Sequence, residues 1–148
     1  MSQLTQSDPT HERIALISTP LDLTGIEALA WDQTCGAVTL FCGRVRDHNE
    51  GFKVLSICYE AYEEMALREM GEILTEADHR FPETRSWVHH RLGELEIGDA
   101  AVIVAVAAAH RQITFEACAW IIEQLKARVP IFKHERREGG VVWVGLGP

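Results

Sequence analysis

Ala100-Ala101-Val102-Ile103-Val104-Ala105-Val106-Ala107-Ala108-Ala109 is a run of ten residues without one polar side chain, and His110-Arg111 follow it at once. A strand with one wet face alternates apolar and polar residues, so a run with no polar position predicts a central strand buried on both faces. Downstream, Thr114, Cys118, Ile121, Ile122, Leu125 and Val129 fall at helical spacing and predict an amphipathic helix. Pro130 stops it. Ile131 to Glu135 is expected to return as a strand with Lys133 on the face shared by Ile131 and Glu135, and Val141 to Val144 as a last short strand.

Upstream of the run, Gly98-Asp99 reads as a turn and Ser86 to Leu92 as a strand. Ala66, Met70, Ile73, Leu74, Ala77 and Phe81 line one face of a helix from Tyr62 to near Pro82, with Glu63, Glu64, Glu69, Glu72 and Glu76 mostly towards solvent. Ala37 to Cys42 and Val54 to Tyr59 are strand-like, and the turn residues Asn49-Glu50-Gly51 between them suggest that the two form a hairpin. A short helix from about Thr24, with Ile26, Leu29 and Ala30 on one face, should stop before Gly36, and Ile14 to Ile17 forms a first strand. Residues 1–12 read as a flexible tail. The expectation is one α+β domain over 13–148, with two main helices on a largely antiparallel or mixed sheet.

With 148 residues, 47% of them hydrophobic, the chain can bury one proper core. A net charge of −8 and a pI near 5.3 argue against nucleic acid as a partner, because phosphate neutralisation needs a basic surface. Cys35, Cys42, Cys58 and Cys118 are spread without a CxxC pair, which favours buried reduced thiols over a disulfide frame or a zinc site. The N-terminus has no apolar h-region and no segment reaches 18 apolar residues, so a cytoplasmic protein without membrane contact is expected. P-loop, GxGxxG, HExxH and GxSxG motifs are all missing.

Against that acidic background the cations stand out. Only three lysines occur, Lys53, Lys126 and Lys133, and the last two follow His110-Arg111 within a 24-residue segment. Such a concentration suggests an anion to hold, or an acyl or proton transfer to run. A polar pair closing a buried strand is also how a chain returns to solvent, but the helix that begins there adds free backbone N–H groups and a positive dipole end. Lys126 in a last helical turn also complements the dipole, whereas Lys133 sits on a short, otherwise apolar or partnered strand and is harder to read as ordinary surface charge.

Arg44 and Arg46, in Gly43-Arg44-Val45-Arg46-Asp47-His48-Asn49, fall on one side of an extended segment, where two guanidinium forks can clamp a phosphate or carboxylate. Singly, each also reads as solvated charge at a strand exit. His89-His90 point to opposite faces of a strand and do not suggest a metal site. Glu60 could bring a carboxylate near the cations, or be a helix-start acid.

Several of these motifs, taken together and in order, resemble one family. Phe41 to Gly51, Tyr59-Glu60-Ala61-Tyr62 with Met65-Ala66, His90-Arg91-Leu92-Gly93, Ala109-His110-Arg111 with Phe115-Glu116-Ala117, and Leu125 to Glu135 with Trp143-Val144 resemble the large, catalytic subunit of molybdopterin synthase over roughly residues 14 to 144. The resemblance implies an α/β-hammerhead-like fold and a sulfurtransferase of molybdenum cofactor biosynthesis that itself needs no cofactor or metal. Sulfur would come from a thiocarboxylate on the C-terminal Gly-Gly of a small ubiquitin-like subunit and pass to cyclic pyranopterin monophosphate, making the dithiolene of molybdopterin. A homodimer of large subunits within a heterotetramer is implied too.

By position in those motifs, Arg44, Val45, Arg46, His110, Arg111, Lys126, Lys133, His134 and Glu135 would bind substrate. Lys126 and Lys133 would be catalytic, with Lys133 as general acid/base and Lys126 positioning the partner's terminal carboxyl group. The chain stops at Gly145-Leu146-Gly147-Pro148, whereas many members run on with a charged tail, so it would manage without that tail or replace it. Cys42 stands where many members carry a hydroxyl residue, and no role follows from it. Two other classes share the cationic features: an anion-binding adaptor without turnover, and a hydrolase or acyltransferase acting on a phosphorylated small molecule.

Overall fold

The computed structural model describes residues 13–146; the expected tail over 1–12 lies outside the described residues. The elements in chain order are β1 (Ile14–Ile17), α1 (Leu23–Ala30), β2 (Ala37–Arg44), β3 (His48–Asn49), β4 (Phe52–Ala61), α2 (Glu63–Arg80), β5 (Arg85–Arg91), β6 (Gly93–Glu96), β7 (Ala100–Ala108), α3 (Arg111–Arg128), β8 (Ile131–Arg137) and β9 (Gly140–Leu146). This is a mixed α+β domain with two sheets rather than one.

The first sheet has the order β1-β5-β7-β2, with β1 parallel to β5 and the other pairs antiparallel. β7 is therefore central, and Ala101 through Ala108 are all buried, as the apolar run requires. Val102, Val104 and Val106 face one core with α2 and α3, while Ile103, Ala105 and Ala107 face a second, formed with Ile26 and Ala30 of α1 and Trp87. Helices thus close both faces of the strand. α1 starts one residue before the expected Thr24, because Asp22 accepts a hydrogen bond from Gly25 N at 3.0 Å and caps it; Leu29, expected on its buried face, is 45% exposed.

The second sheet has the order β3-β4-β8-β9, with β6 also on β4. The expected hairpin of Ala37 to Cys42 with Val54 to Tyr59 does not form. β2 takes β7 as its partner and β4 takes β8, so the two strands lie in different sheets. The turn chemistry is used more locally. Glu50 (φ 51°) and Gly51 (φ 83°) join the two-residue β3 to β4, since two successive positive φ values match the twist of a tight hairpin.

α2 and α3 lie on the same face of the first sheet, and Arg128 ties them together by pairing with Glu69 at 3.0 Å and Glu76 at 2.7 Å. The four cysteines are free thiols, but only Cys118 is fully buried; Cys35, Cys42 and Cys58 are half-buried. No helix among the described residues is long and apolar enough to cross a membrane.

If both faces of β7 are packed core, truncating its α1 side should be costly. Ile103→Ala is expected to lower the unfolding free energy by about 3 kcal/mol, within the range for deleting a buried aliphatic side chain. Denaturant titration checks this, and a loss under about 1 kcal/mol would mean that the α1 layer is loose.

Candidate active site

Where the inner face of the second sheet meets the first sheet and the C-terminal end of α3, a cavity of about 320 Å³ opens. Arg44, Arg46, Lys126 and Lys133 line it together with Tyr59 and an apolar wall that includes Phe41, Val102, Ile122 and Leu125. A smaller cavity of about 80 Å³ shares Arg44, Arg46, Tyr59 and Lys133 and adds Val45, Asn49 and Glu135.

Backbone irregularities adjoin two of these side chains. The β2–β7 ladder slips between Gly43 and Arg44, and the β8–β9 ladder slips between Lys133 and His134. Each slip leaves one extra residue on the partner strand, Ala101 of β7 and Val144 of β9, and both adjoin cations of the cavity. Gly43 must stay bare there: a Cβ would stand 2.9 Å from Val102 Cγ1 and 3.3 Å from a Phe41 ring carbon. Beyond the bulge the chain is pinned to the turn before β7. Val45 N donates to the Asp99 carbonyl oxygen at 3.0 Å, Gly98 N donates to the Val45 carbonyl oxygen at 2.7 Å, and Arg44 Nη1 donates to the Gly98 carbonyl oxygen at 2.7 Å.

Among the described residues, the cations that line the cavity have no carboxylate partner, although several arginines elsewhere do. Arg13, Arg85, Arg91, Arg128 and Arg137 are each in an ion pair with a carboxylate. Among the described residues Arg44, Arg46, Lys126 and Lys133 are in none. The buried Glu135 lies nearby but is already engaged: it accepts from Arg137 Nε at 3.0 Å and from Asn49 Nδ2 at 2.8 Å. Asn49 Oδ1 in turn accepts from Arg46 Nη2 at 3.5 Å, so Glu135 anchors the arginine loop. Lys133 has its pKa lowered, chiefly by burial and further by Lys126 and Arg46, with Glu135 opposing the shift.

The residues singled out in the sequence therefore divide. Arg44, Arg46, Lys126 and Lys133 come together, and Val45 and Glu135 wall the smaller cavity. His134 is not brought to it. Alternation along β8 turns it to the opposite face, where it meets Glu60 Oε1 at 3.2 Å and packs edge-on against Trp143. Glu60 is on that same outer face, away from the cations it was considered to approach.

His110 and Arg111 are exposed at the other end of α3, beside a separate cavity with Pro82, Glu83 and Gln112. Lys126 lies fifteen positions beyond Arg111 along the helix, a rise of roughly 22 Å. Tyr59 and the apolar wall read as ordinary core in the sequence, because alternation alone does not separate a cavity wall from a core position; the structure sets Tyr59 opposite Lys133.

Comparison with known proteins agrees with this architecture. The sequence profile of the MoaE protein family matches residues 16–128. The chain is 43% identical over 134 residues to a molybdopterin synthase catalytic subunit of Pyrococcus abyssi, covering 89% of this chain and 90% of that one. It is 46% identical over 129 residues to a protein of the same name from Drosophila willistoni, covering 86% of this chain but 35% of that longer one. Among solved structures, molybdopterin synthase from Staphylococcus aureus superposes with a TM-score of 0.85 at 35% identity, covering 88% of this chain and 95% of that chain. A MoaE protein from Burkholderia ambifaria superposes with a TM-score of 0.80 at 29% identity, covering 93% and 92%. On sequence and fold alike, this chain belongs to the MoaE protein family.

Proposed function

We propose that this chain is the large, catalytic subunit of a molybdopterin synthase. It moves sulfur from the C-terminal thiocarboxylate of a small ubiquitin-like subunit to cyclic pyranopterin monophosphate, forming the dithiolene of molybdopterin. The observation that carries this reading is the group of four cations without ion-pair partners at one cavity of a chain with net charge −8. Relatives of the same family bear the name molybdopterin synthase catalytic subunit.

The cavity's chemistry suits that reaction. Arg44 and Arg46 supply forked donors for a phosphate, and Phe41, Ile122 and Leu125 offer apolar surface to a ring system. Opening the cyclic phosphate builds negative charge, which cations already fixed in place stabilise without reorganising. Lys133 acts as general acid/base and Lys126 positions the partner's terminal carboxyl group. A lysine with an ordinary pKa holds its proton too firmly to exchange it near neutrality; the burial and cationic neighbours of Lys133 work against that hold.

His110 and Arg111 cannot reach the cavity of their own chain across roughly 22 Å of helix. As substrate-binding residues they serve the cavity of a second copy, within a homodimer of large subunits that carries two small subunits.

Three outcomes test this reading. Lys126→Ala and Lys133→Ala should each reduce sulfur transfer from a thiocarboxylated partner by at least about 100-fold, the scale of a lost acid/base or positioning group. Near-normal turnover would remove that lysine from the mechanism. With only three lysines in the chain, NMR can follow the Lys133 amine directly. It should lose its proton at lower pH than an ordinary lysine amine; Lys126→Ala should move that titration up by removing repulsion, and Glu135→Gln should move it further down by removing an attracting charge. Finally, co-expressed Arg111→Ala and Lys133→Ala chains, each inactive alone, should regain activity as mixed dimers, because one cavity then has both groups. No recovery would contradict the shared site.

A further inference from the structure

Across the β4–β8 ladder Tyr59 stands directly opposite Lys133, and it borders both the larger and the smaller cavity. The residue is only 5% exposed, and its ring packs edge-on against His90, with centroids 4.9 Å apart and planes at 78°. His90 is a fixed abutment. It is 1% exposed, and its Nδ1 lies 2.8 Å from the Arg91 carbonyl oxygen; a carbonyl only accepts, so Nδ1 carries the proton. Burial lowers the His90 pKa to about 4, which keeps the imidazole neutral and the ring contact unchanged near neutrality.

The Tyr59 hydroxyl is differently placed from its ring. The sealed polar side-chain atoms without a partner among the described residues are His90 Nε2 and Arg91 Nε, and the phenol is not one of them. No described residue hydrogen-bonds it, so it opens onto the cavity. Burial, reinforced by the Glu135 carboxylate, raises its pKa to about 12, so the group stays a donor. Every other polar side chain lining the larger cavity is a cation. The arginine forks suit a phosphate or carboxylate and the lysines act as point charges that impose little geometry, whereas a rigid neutral donor selects one acceptor position on the rest of a substrate.

We propose that Tyr59 is a further substrate-contacting residue, its hydroxyl donating a hydrogen bond to an acceptor oxygen of the bound cyclic pterin beside Lys133. The proposal rests on the reading of the cavity given above.

The test is steady-state kinetics of the complex with a thiocarboxylated small subunit, wild type against Tyr59→Phe, across pH. Tyr59→Phe should raise KM for the cyclic pterin by about tenfold, the effect of losing one hydrogen bond to a charged or strongly polar oxygen. Thermal midpoint, affinity for the small subunit and the pH profile of kcat should stay as in wild type. A KM within about twofold of wild type overturns the proposal, and so does a rise accompanied by a lowered thermal midpoint or a shifted kcat profile, which would mark packing or action through Lys133.

A ring-fluorinated tyrosine at 59 keeps shape and hydroxyl but ionises at lower pH. Its KM should climb as the fluorophenol ionises, where the wild type is flat; parallel profiles overturn the proposal. If the wild-type complex does not convert the cyclic pterin, the broader reading falls and Tyr59 with it. Turnover by wild type with an unaffected Tyr59→Phe overturns the Tyr59 assignment alone.

Discussion

Burial of β7 on both faces is the constraint from which the rest of the molecule follows. With α2 and α3 against one face and α1 against the other, no polar side chain fits between Ala101 and Ala108. Chemistry can enter only at the ends of the strand. At its start the ladder with β2 slips, Gly43 is held bare, and Arg44 turns into the cavity. At its end come His110 and Arg111. The strand and the helix that returns along it thus keep the two cationic groups a helix-length apart, and the proposed function therefore assigns His110 and Arg111 to the cavity of a second copy.

The electrostatics of the cavity depend on what its neighbours do with their carboxylates. Glu135 lies within reach of Lys133, yet Arg137 and Asn49 already occupy its oxygens, and Glu69 and Glu76 are drawn off to Arg128 between the two helices. Four cations are left facing one space in an acidic protein. The pKa of Lys133 is lowered chiefly by burial and further by its neighbours Lys126 and Arg46, with Glu135 opposing, so holding the charged form there has a cost. A bound anion would offset that cost.

Much of this was legible in the sequence where one period dominates. The apolar run marked the central strand, and helical spacing marked α2 and α3 closely, because each buries a single face over 18 residues. Strand partners were less legible. β2 and β4 looked like a hairpin because they are neighbours around turn residues, but pairing is decided by which strand completes each sheet, and β3 and β6, of two and four residues, carry too little pattern to reveal the true hairpins. At the site, the rarity of lysine pointed to Lys126 and Lys133, and alternation placed Arg44 and Arg46 on one side. Linear proximity misled for His110 and Arg111, since the helix between them and Lys126 carries them away. Tyr59, Phe41 and Ile122 were invisible as site residues because a cavity wall and a core position look alike in one dimension.

On the proposed function, the anionic substrate lies in the cavity bounded by Arg44, Arg46, Lys126 and Lys133. A crystal structure of the chain with its small subunit and cyclic pyranopterin monophosphate tests it most directly. The ligand is expected in that cavity, with Lys133 and at least one of the two arginines in hydrogen-bond contact with it. Ligand density confined to another surface, with those four side chains untouched, would contradict it.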